Sequence, residues 1–382
     1  MKIGIITWFS GPNYGTNLQA IALQYYLRKD GHDVKIINYE VSGPQRKQRK
    51  KTLIKRIAHQ PEKYMCKLAM RFYKNKINSR NQKLSGAIRN NCVLTKKINT
   101  EEELVDVCNQ FDLLICGSDQ IWNPNWYDRF YFADYNKIKT KRISYAPSMG
   151  VNTIPADIKD KIASGISKFD AISVREKNTA TLLKSCCEKR IYTVVDPTLL
   201  VSADEWEKVF PLVGNIDASL GEYVFSFFLD ENKAHFRASK AFAKSKNLKY
   251  VVVPYKGISY LQNGEIHADA GLEELLNLIH NAKYVLTDSF HITVFSILYN
   301  KQFYTFQRFQ ENKDTSQNAR VTDLLERTNL ESRYIKYGSN KIFEQSDINY
   351  KKQEQVLRSE IDQSKKFLLD AINGDKCRGD IN

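Results

Sequence analysis

The sequence lacks the short motifs with which many enzymes bind metals and nucleotides. Its six histidines and seven cysteines form no His-x-x-x-His, Cys-x-x-Cys or mixed cluster, so no metal site is predicted. Gly-x-Gly-x-x-Gly, the Walker phosphate loop and Gly-x-Ser-x-Gly are also missing, which argues against a dinucleotide cofactor, a P-loop and an α/β-hydrolase serine. We therefore expect chemistry that uses neither a metal ion nor a cofactor.

Long apolar runs are missing as well. No stretch of about 18 uncharged apolar residues occurs, so no membrane span is predicted, and residues 1–9 lack the length and cleavage pattern of a signal peptide. An odd number of cysteines without a secretory signal favours reduced thiols and a cytoplasmic location. With 382 residues, the chain is long enough for two domains.

Acidic residues are almost absent from residues 46–97, which hold seventeen Lys or Arg against one acid, Glu62. This segment accounts for the net charge of +15. Such a segment suits an anionic membrane surface or an acidic substrate, or is a solvated surface insertion. Nucleic acid is not expected, because no helix-turn-helix, zinc-finger or RNA-binding signature accompanies the charge. Apolar residues recur mostly at the three- or four-residue spacing of amphipathic helices: Leu53, Ile57, Tyr64, Leu68 and Phe72.

Short apolar strands alternate with helix-like segments along the chain, a pattern that favours parallel α/β sheets. After residue 195 the pattern starts again, and Ser202 with Glu205 matches a capping box at the start of a helix. The predicted organisation is a first α/β domain over residues 1–195 with a basic helical insertion at 46–97, a second over 196–349, and a closing helix over 350–373 able to pack back on the first.

The run over residues 284–291 changes from apolar to polar at Asp288, Ser289 and His291, and an apolar run then resumes. A strand that leads into a helix places these residues at the strand end and in the first helical turn. Ligands bind at such points in open α/β sheets, the helix N-terminus attracts anions, and a histidine there can move protons. The alternative is that Ser289 only caps the helix and His291 only packs.

Two earlier loops carry further candidates. The first βα loop, with Asn13 and Asn17, either lets a ligand approach its backbone or is shaped only by its turn. The second loop, residues 117–124, is either a tight turn capped by Asp119 or a sugar site, since a flat ring stacks on a pyranose face while polar groups bind hydroxyls. Its candidate sugar contacts are Ser118, Asp119, Gln120 and Trp122.

Six short blocks stand in order along the chain: Asn-Tyr-Gly-Thr-Asn-Leu-Gln at 13–19, Gly-Ser-Asp-Gln-Ile-Trp-Asn at 117–123, Ser-Tyr-Ala-Pro-Ser-Met-Gly at 144–150, Ser-Val-Arg-Glu at 173–176, Val-Asp-Pro-Thr at 195–198 and Thr-Asp-Ser-Phe-His at 287–291. Taken together, they resemble the polysaccharide pyruvyl transferase family, and the resemblance runs from residue 1 to about residue 330. The resemblance implies two Rossmann-like domains facing each other across a cleft, similar to GT-B glycosyltransferases. It also implies phosphoenolpyruvate as the donor substrate, a sugar hydroxyl pair as the acceptor, and a pyruvate ketal and phosphate as products.

The resemblance also assigns site residues. The family's donor-binding histidine falls on His291, its basic donor ligands fall on Arg175 and Arg308, and Arg320 matches a recurrent family arginine. Guanidinium groups suit this donor because they bind carboxylate and phosphate oxygens bidentately.

Ketal formation requires a group that gives protons and a group that takes them. We hypothesise that His291 protonates the donor or its departing phosphate, while Asp119 or Asp288 orients or deprotonates the acceptor. Ile292 stands where many relatives carry glycine, and Pro147 replaces a small residue, so the cleft shape and the acceptor can differ from those of relatives.

The sequence thus predicts a cytoplasmic, metal-independent pyruvyl transferase that acts on an exopolysaccharide or another cell-surface polysaccharide. Its acceptor would be the sugar itself or a lipid-pyrophosphate-linked precursor, with the basic segment holding the enzyme at the inner face of an anionic membrane. Two alternatives stay open: a nucleotide-sugar glycosyltransferase of GT-B architecture, and a non-catalytic glycan-binding protein.

Overall fold

The structure is a computed structural model that describes residues 1–39, 61–212, 220–310 and 317–374. Leu53 and Ile57, two apolar positions of the predicted basic helices, lie outside the described residues. In residues 1–212 the helices and strands are β1 (Lys2–Ile6), α1 (Tyr14–Lys29), β2 (Asp33–Ile36), α2 (Pro61–Phe72), α3 (Lys74–Asn91), α4 (Glu101–Cys108), β3 (Leu113–Cys116), β4 (Lys141–Ser144), α5 (Ala156–Ser167), β5 (Ile172–Val174), α6 (Lys177–Lys184), β6 (Ile191–Thr193) and α7 (Ala203–Val209).

The first sheet is parallel, with strand order β2-β1-β3-β4. Ile3 of β1 lies opposite Val34 on one side and Leu113 on the other. A parallel pair of β5 and β6 continues from it through a bridge between Ile143 and Ala171. Because the strands are parallel and in register, their carboxyl ends lie along one edge of the sheet.

The second sheet is also parallel, with strand order β12-β11-β10-β7-β8-β9. In its centre, Thr287 at the end of β10 lies opposite Thr305 on one side and Phe227 on the other. In residues 220–374 the elements are β7 (Tyr223–Phe227), α8 (Lys233–Ser245), β8 (Lys249–Val252), β9 (Glu265–Ile266), α9 (Leu272–Asn281), β10 (Tyr284–Thr287), α10 (Phe290–Leu298), β11 (Gln302–Phe306), α11 (Ala319–Arg327), β12 (Tyr334–Ile335) and α12 (Tyr350–Asn373).

The described part of the basic segment is helical up to Asn91, and its two helices, α2 and α3, connect the two sheets. Leu84 and Ile88 of α3 are buried in the core beneath the first sheet. One turn before Leu84, the buried Arg80 donates to the carbonyl oxygen of Pro254 at 2.9 Å and to the hydroxyl of Tyr260 at 3.2 Å. The insertion therefore links the first domain to the loops beyond β8 in the second.

The helix predicted over residues 350–373 is present as α12, and it ends at Gly374, whose φ of 78° is in the left-handed region that favours glycine. The ring of Phe367 lies 5.0 Å from that of Tyr192, and Lys141 donates to the carbonyl oxygen of Ala371 at 2.9 Å. The C-terminal helix thus packs on the first domain. In the part of the chain that the structure describes, no helix is both long and apolar enough to cross a membrane.

Candidate active site

A cavity of about 360 Å³ lies between the carboxyl ends of the two sheets. Both domains contribute side chains to it, as expected for a ligand site between parallel sheets. The first domain supplies Trp8, Asn13, Asp119, Gln120 and Trp126, and the second supplies Leu229, Asp230, Tyr255, Lys256, Ser289, Phe290, His291, Arg308, Phe309, Gln317 and Arg320.

Two helix N-termini meet at this cavity. The side chain of Asn13 caps α1 by accepting from the backbone N–H of Gly15 at 3.0 Å, whereas Ser289, at the start of α10, makes no capping hydrogen bond with its side chain. A Cβ atom at Gly15 would lie 2.0 Å from Nδ1 of His291, so only glycine allows the imidazole to lie this close to α1. The fold therefore brings His291 and two helix N-termini together.

Asp196 lies behind the imidazole, with its Oδ2 at 3.7 Å from Nε2 of His291. The same oxygen accepts from Nη1 of Arg175 at 2.7 Å, and Thr198 donates its hydroxyl to the other oxygen at 2.7 Å. Burial alone would raise the pKa of Asp196, but His291 and Arg175 outweigh burial and hold this pKa well below its usual range. A buried carboxylate, ionised at neutral pH, therefore faces the histidine.

Arg175 lies outside the cavity lining, behind Phe290, and its guanidinium carbon is 4.4 Å from the centroid of that ring. Its Nε donates to Glu176 at 2.8 Å, while Nη2 has no hydrogen-bond partner among the described residues. Burial opposes the charge of Arg175, but Glu176 and Asp196 raise its pKa above the usual range. The predicted donor ligand is thus a charged group that holds Asp196 in place.

Two other arginines reach the cavity itself. Arg308 and Arg320 both donate to the side-chain oxygen of Gln317, at 2.6 and 2.7 Å. When the Gln120 amide presents its oxygen to this side, it accepts from Nη1 of Arg320 at 2.6 Å. Burial, with the charges of Arg175 and Arg308, lowers the pKa of Arg320. Neither Arg308 nor Arg320 forms an ion pair with a carboxylate among the described residues, so together they suit an anion.

Asp119 lines the first-domain side of the cavity, with a φ of 71°. Its Oδ2 accepts from the hydroxyl of Thr16 at 2.7 Å, and its Oδ1 accepts from the backbone of Gln120 at 2.9 Å. Its neighbour Ser118 is buried below the cavity and donates to the carbonyl oxygen of Ala146 at 2.9 Å. Of this pair, therefore, only Asp119 is placed to contact a ligand.

Asp288 is buried beside the cavity and does not line it. One carboxylate oxygen accepts from the backbone N–H of Leu229 at 2.7 Å and the other from that of Asp230 at 3.0 Å. Burial raises the pKa of Asp288 to about 6, although these two N–H groups and Arg308 oppose the rise. Its carboxylate ties the loop after β7 to the start of α10.

The expectation that Trp122 stacks on a sugar is corrected by the structure. Trp122 is buried in the core, where its ring stacks on Phe132 at 5.1 Å and its Nε1 donates to the carbonyl oxygen of Tyr131 at 3.0 Å. The indoles at the cavity are instead those of Trp8 and Trp126, whose ring centroids are 6.2 Å apart. Trp126 is 38% exposed, so its ring is available to a ligand.

The predicted site residues thus fall into two groups. Sequence reasoning missed Asp196, Trp8 and Trp126; Asp196 was part of the Val-Asp-Pro-Thr block, and Trp8 follows β1 at the sheet edge where ligands bind. The structure places Asn13, Asp119, Gln120, Ser289, His291, Arg308 and Arg320 on the cavity, and Asn17, Ser118, Trp122, Arg175 and Asp288 behind it.

The described residues hold no group of three or more His, Cys, Asp or Glu side chains placed to bind a metal ion. Asn17, which was predicted to contact substrate, is buried and donates instead to the carbonyl oxygen of Gly11 at 3.2 Å. The charged and titratable side chains that line the cavity include the imidazole of His291, the carboxylates of Asp119 and Asp230, the ammonium group of Lys256 and the guanidinium groups of Arg308 and Arg320.

Comparisons with known proteins bear on the family and the fold of the chain. A family model described as polysaccharide pyruvyl transferase matches residues 13–308, whereas no curated protein sequence matches the chain significantly. The UDP-GlcNAc 2-epimerase of Neisseria meningitidis, solved with UDP-GlcNAc, has a TM-score of 0.50 at 10% identity, over 98% of this chain and 100% of that one. A putative UDP-N-acetylglucosamine 2-epimerase from Listeria monocytogenes has a TM-score of 0.53 at 9% identity, over 100% and 99%. At such low identity these structures show the fold alone, the predicted GT-B-like pair of Rossmann-like domains.

Proposed function

Because the chain belongs to the polysaccharide pyruvyl transferase family, and so is a transferase, we propose that it moves the pyruvyl group of phosphoenolpyruvate onto two hydroxyls of a sugar. The products are a pyruvate ketal and phosphate. The observation that carries the proposal is the convergence of Arg308, Arg320 and His291 on one cavity at the N-terminus of α10.

The donor has two anionic groups, a carboxylate and a phosphate, and the cavity offers two kinds of anion site. The guanidinium groups of Arg308 and Arg320 provide one, since their side-chain partners among the described residues are the neutral amides of Gln317 and Gln120 and not carboxylates. The free N–H groups at the start of α10 provide the other, and the hydroxyl of Ser289 is not used in capping the helix. A volume of about 360 Å³ is within the range of small-molecule sites.

The proposed reaction needs one proton at carbon and leaves one on phosphate. The methylene carbon of the donor gains a proton and becomes a methyl group, one sugar hydroxyl bonds to the central carbon, and the second hydroxyl displaces phosphate. His291 supplies the proton, and the ionised Asp196 behind it stabilises the charged imidazolium. The two hydroxyls lose one proton each. One of these protons replaces the proton given by His291, and the other leaves with the phosphate.

Asp119 is the better candidate for orienting or deprotonating the acceptor, because it lines the cavity and Asp288 does not. Asp288 instead uses both oxygens to hold the loop at Leu229 and Asp230. The indoles of Trp8 and Trp126 lie on the same side of the cavity as Asp119, and they provide the flat surface on which a sugar face can stack.

We include in the proposal that the acceptor is a cell-surface polysaccharide or its lipid-linked precursor, reached at an anionic membrane. The strongly basic segment at residues 46–97 supports this part, since an anionic surface attracts clustered Lys and Arg.

The test is phosphate release from phosphoenolpyruvate across a panel of synthetic and lipid-linked glycosides. We expect His291→Asn to lower kcat by about 10²–10⁴-fold while donor binding remains, because a general acid acts mainly in the transition state. His32→Asn, in the turn between α1 and β2, is the matched control and should keep wild-type activity. Full activity of His291→Asn would remove this residue from the mechanism.

Thermal melting and glycan binding, measured alongside phosphate release, separate the two alternative functions. Thermal stabilisation by nucleoside diphosphates and not by phosphoenolpyruvate would identify a nucleotide-sugar glycosyltransferase instead. Binding of glycans without phosphate release from any acceptor would identify a non-catalytic glycan-binding protein.

A further inference from the structure

Helix α2 exposes an unusual number of large apolar side chains. Among the described residues ten such side chains are exposed, and five of these lie in this helix of twelve residues. The concentration matters because single exposed apolar residues are normal, whereas a contiguous group marks an interaction surface. Four of the five define what we call the α2 face: Tyr64, Met65, Leu68 and Phe72, which are 51%, 51%, 48% and 82% exposed.

The α2 face cannot turn inwards, because another side of the helix is already packed against the second domain. A turn at Gly257–Leu261 lies against α2, and the sulfur of Cys66 is 3.6 Å from where a Cβ atom of Gly257 would be. Just after the helix, the ring of Tyr73 lies 5.7 Å from that of Tyr260. With 3.6 residues per turn, the α2 face spans about 100° on a different side from Cys66.

Basic residues run along the side next to the α2 face. Lys63, Lys67 and Arg71 recur every four residues, are exposed, and form no ion pair with any described residue. An apolar stripe beside a Lys and Arg stripe is typical of helices that lie in the surface of an anionic bilayer. A second copy of the chain fits this surface poorly, since each copy carries a net charge of +15 and the basic stripes would repel.

The helix also lies close to the cavity. The turn at Gly257–Leu261 that supports α2 directly follows Tyr255 and Lys256, both of which line the cavity. We propose that the α2 face docks the protein on an anionic phospholipid membrane, with its apolar side chains in the interface and its basic stripe on the headgroups. Docking there would present the cavity to a lipid-linked acceptor, a consequence that rests on the proposed function.

The experiment is sedimentation of the full chain with vesicles of phosphatidylcholine, with and without phosphatidylglycerol, at low and high salt. We expect binding only to the anionic vesicles, weakened by salt. The double change Leu68→Ser with Phe72→Ser should weaken partitioning by about tenfold or more, since it removes two apolar side chains from the interface. Phe343→Ser is the matched control, because Phe343 is 74% exposed outside α2, and should bind as the wild type does.

Charge is tested in the same way. Reversal of Lys63, Lys67 and Arg71 to Glu should abolish binding to anionic vesicles. The same reversal at three exposed lysines elsewhere lowers the net charge equally, and it should weaken vesicle binding far less; these are Lys159, Lys184 and Lys244. The α2 variants should melt at the wild-type temperature, because the altered side chains are exposed in the folded protein.

Three results would overturn the docking proposal. One is no binding to anionic vesicles, or binding that the α2 variants leave unchanged. Another is a concentration-dependent dimer that Phe72→Ser dissociates, which would assign the α2 face to a second copy. The third is tighter binding of the full chain to nucleic acid than to anionic vesicles. Phosphate release with a water-soluble glycoside, which the α2 variants should retain, tests the proposed function separately, so either proposal can fail while the other stands.

Discussion

The approach of Gly15 to His291 is the most demanding contact of the candidate active site. A Cβ atom at Gly15 would lie 2.0 Å from Nδ1 of His291 and 2.5 Å from Cγ, distances that no carbon atom tolerates. The Gly15→Ala variant must therefore shift the imidazole or the first turn of α1 by about 1 Å or more, and such a displacement commonly costs about 10² in rate. We expect a fall of about 100-fold in kcat for phosphate release.

The fold should survive this change. Alanine favours a helix over glycine by up to about 1 kcal/mol, while forcing an extra methyl group into a packed site costs about 1–3 kcal/mol. The net fall in the free energy of unfolding is then about 3 kcal/mol or less, smaller than the stability of an ordinary domain. Urea unfolding measures the change, and Gly86→Ala in α3 is the control, since only Nη2 of Arg89, at 3.9 Å, lies near its new Cβ atom.

A double variant shows whether the loss of activity passes through the histidine. If Gly15→Ala acts by displacing His291, adding it to His291→Asn should lower kcat little further, because the two changes remove one and the same contribution. A folded Gly15→Ala enzyme with wild-type kcat would refute the reasoning. So would a double variant in which the two losses multiply.

Two further predictions concern the tryptophans and Asp288. Trp126→Ala should raise the acceptor KM and leave the melting temperature unchanged. Trp122→Ala should lower the free energy of unfolding by about 3–5 kcal/mol, because it leaves a cavity in the core. The reverse pattern would show that Trp122, and not Trp126, contacts the sugar. Because burial raises the pKa of Asp288 from 3.8 to about 6, the folded state binds this proton more tightly than the unfolded state does. The free energy of unfolding of the wild type should therefore fall by up to about 3 kcal/mol relative to that of Asp288→Asn as the pH rises from about 4 to 6. If urea unfolding shows the two free energies changing in parallel over this pH range, the raised pKa of Asp288 is contradicted.

Features that depend on neighbours in the chain could be predicted from the sequence. The Ser202–Glu205 capping box has both of its hydrogen bonds, since its partners are three residues apart. The strand-to-helix change at Thr287 to Phe290 is present, because it follows from hydrophobic patterning. Even here a boundary was wrong: the first βα loop, expected to include Asn17, ends at Asn13, whose side chain caps a helix that already contains Asn17.

The choice between Trp122 and Trp126 shows where sequence reasoning stops. Both indoles belong to one short polar stretch, and either suits a sugar. Burial of Trp122 depends on Phe132 and Phe169, which the fold brings beneath this loop from later in the chain. No local pattern records such contacts, so the aromatic ring that faces the cavity could be identified only in three dimensions.

By itself, the sequence determined two α/β domains with parallel sheets, the family, and the histidine at the start of α10. These follow from strand and helix patterns and from the ordered motif blocks, all of which are local. Only the tertiary structure decided which groups surround that histidine. Gly15, Asp196 and Arg320 come from three separate parts of the chain, and they meet at His291 and its cavity because two sheets face each other with their carboxyl ends together. Contacts of this range depend on how the domains pack, and packing is a property of the whole fold.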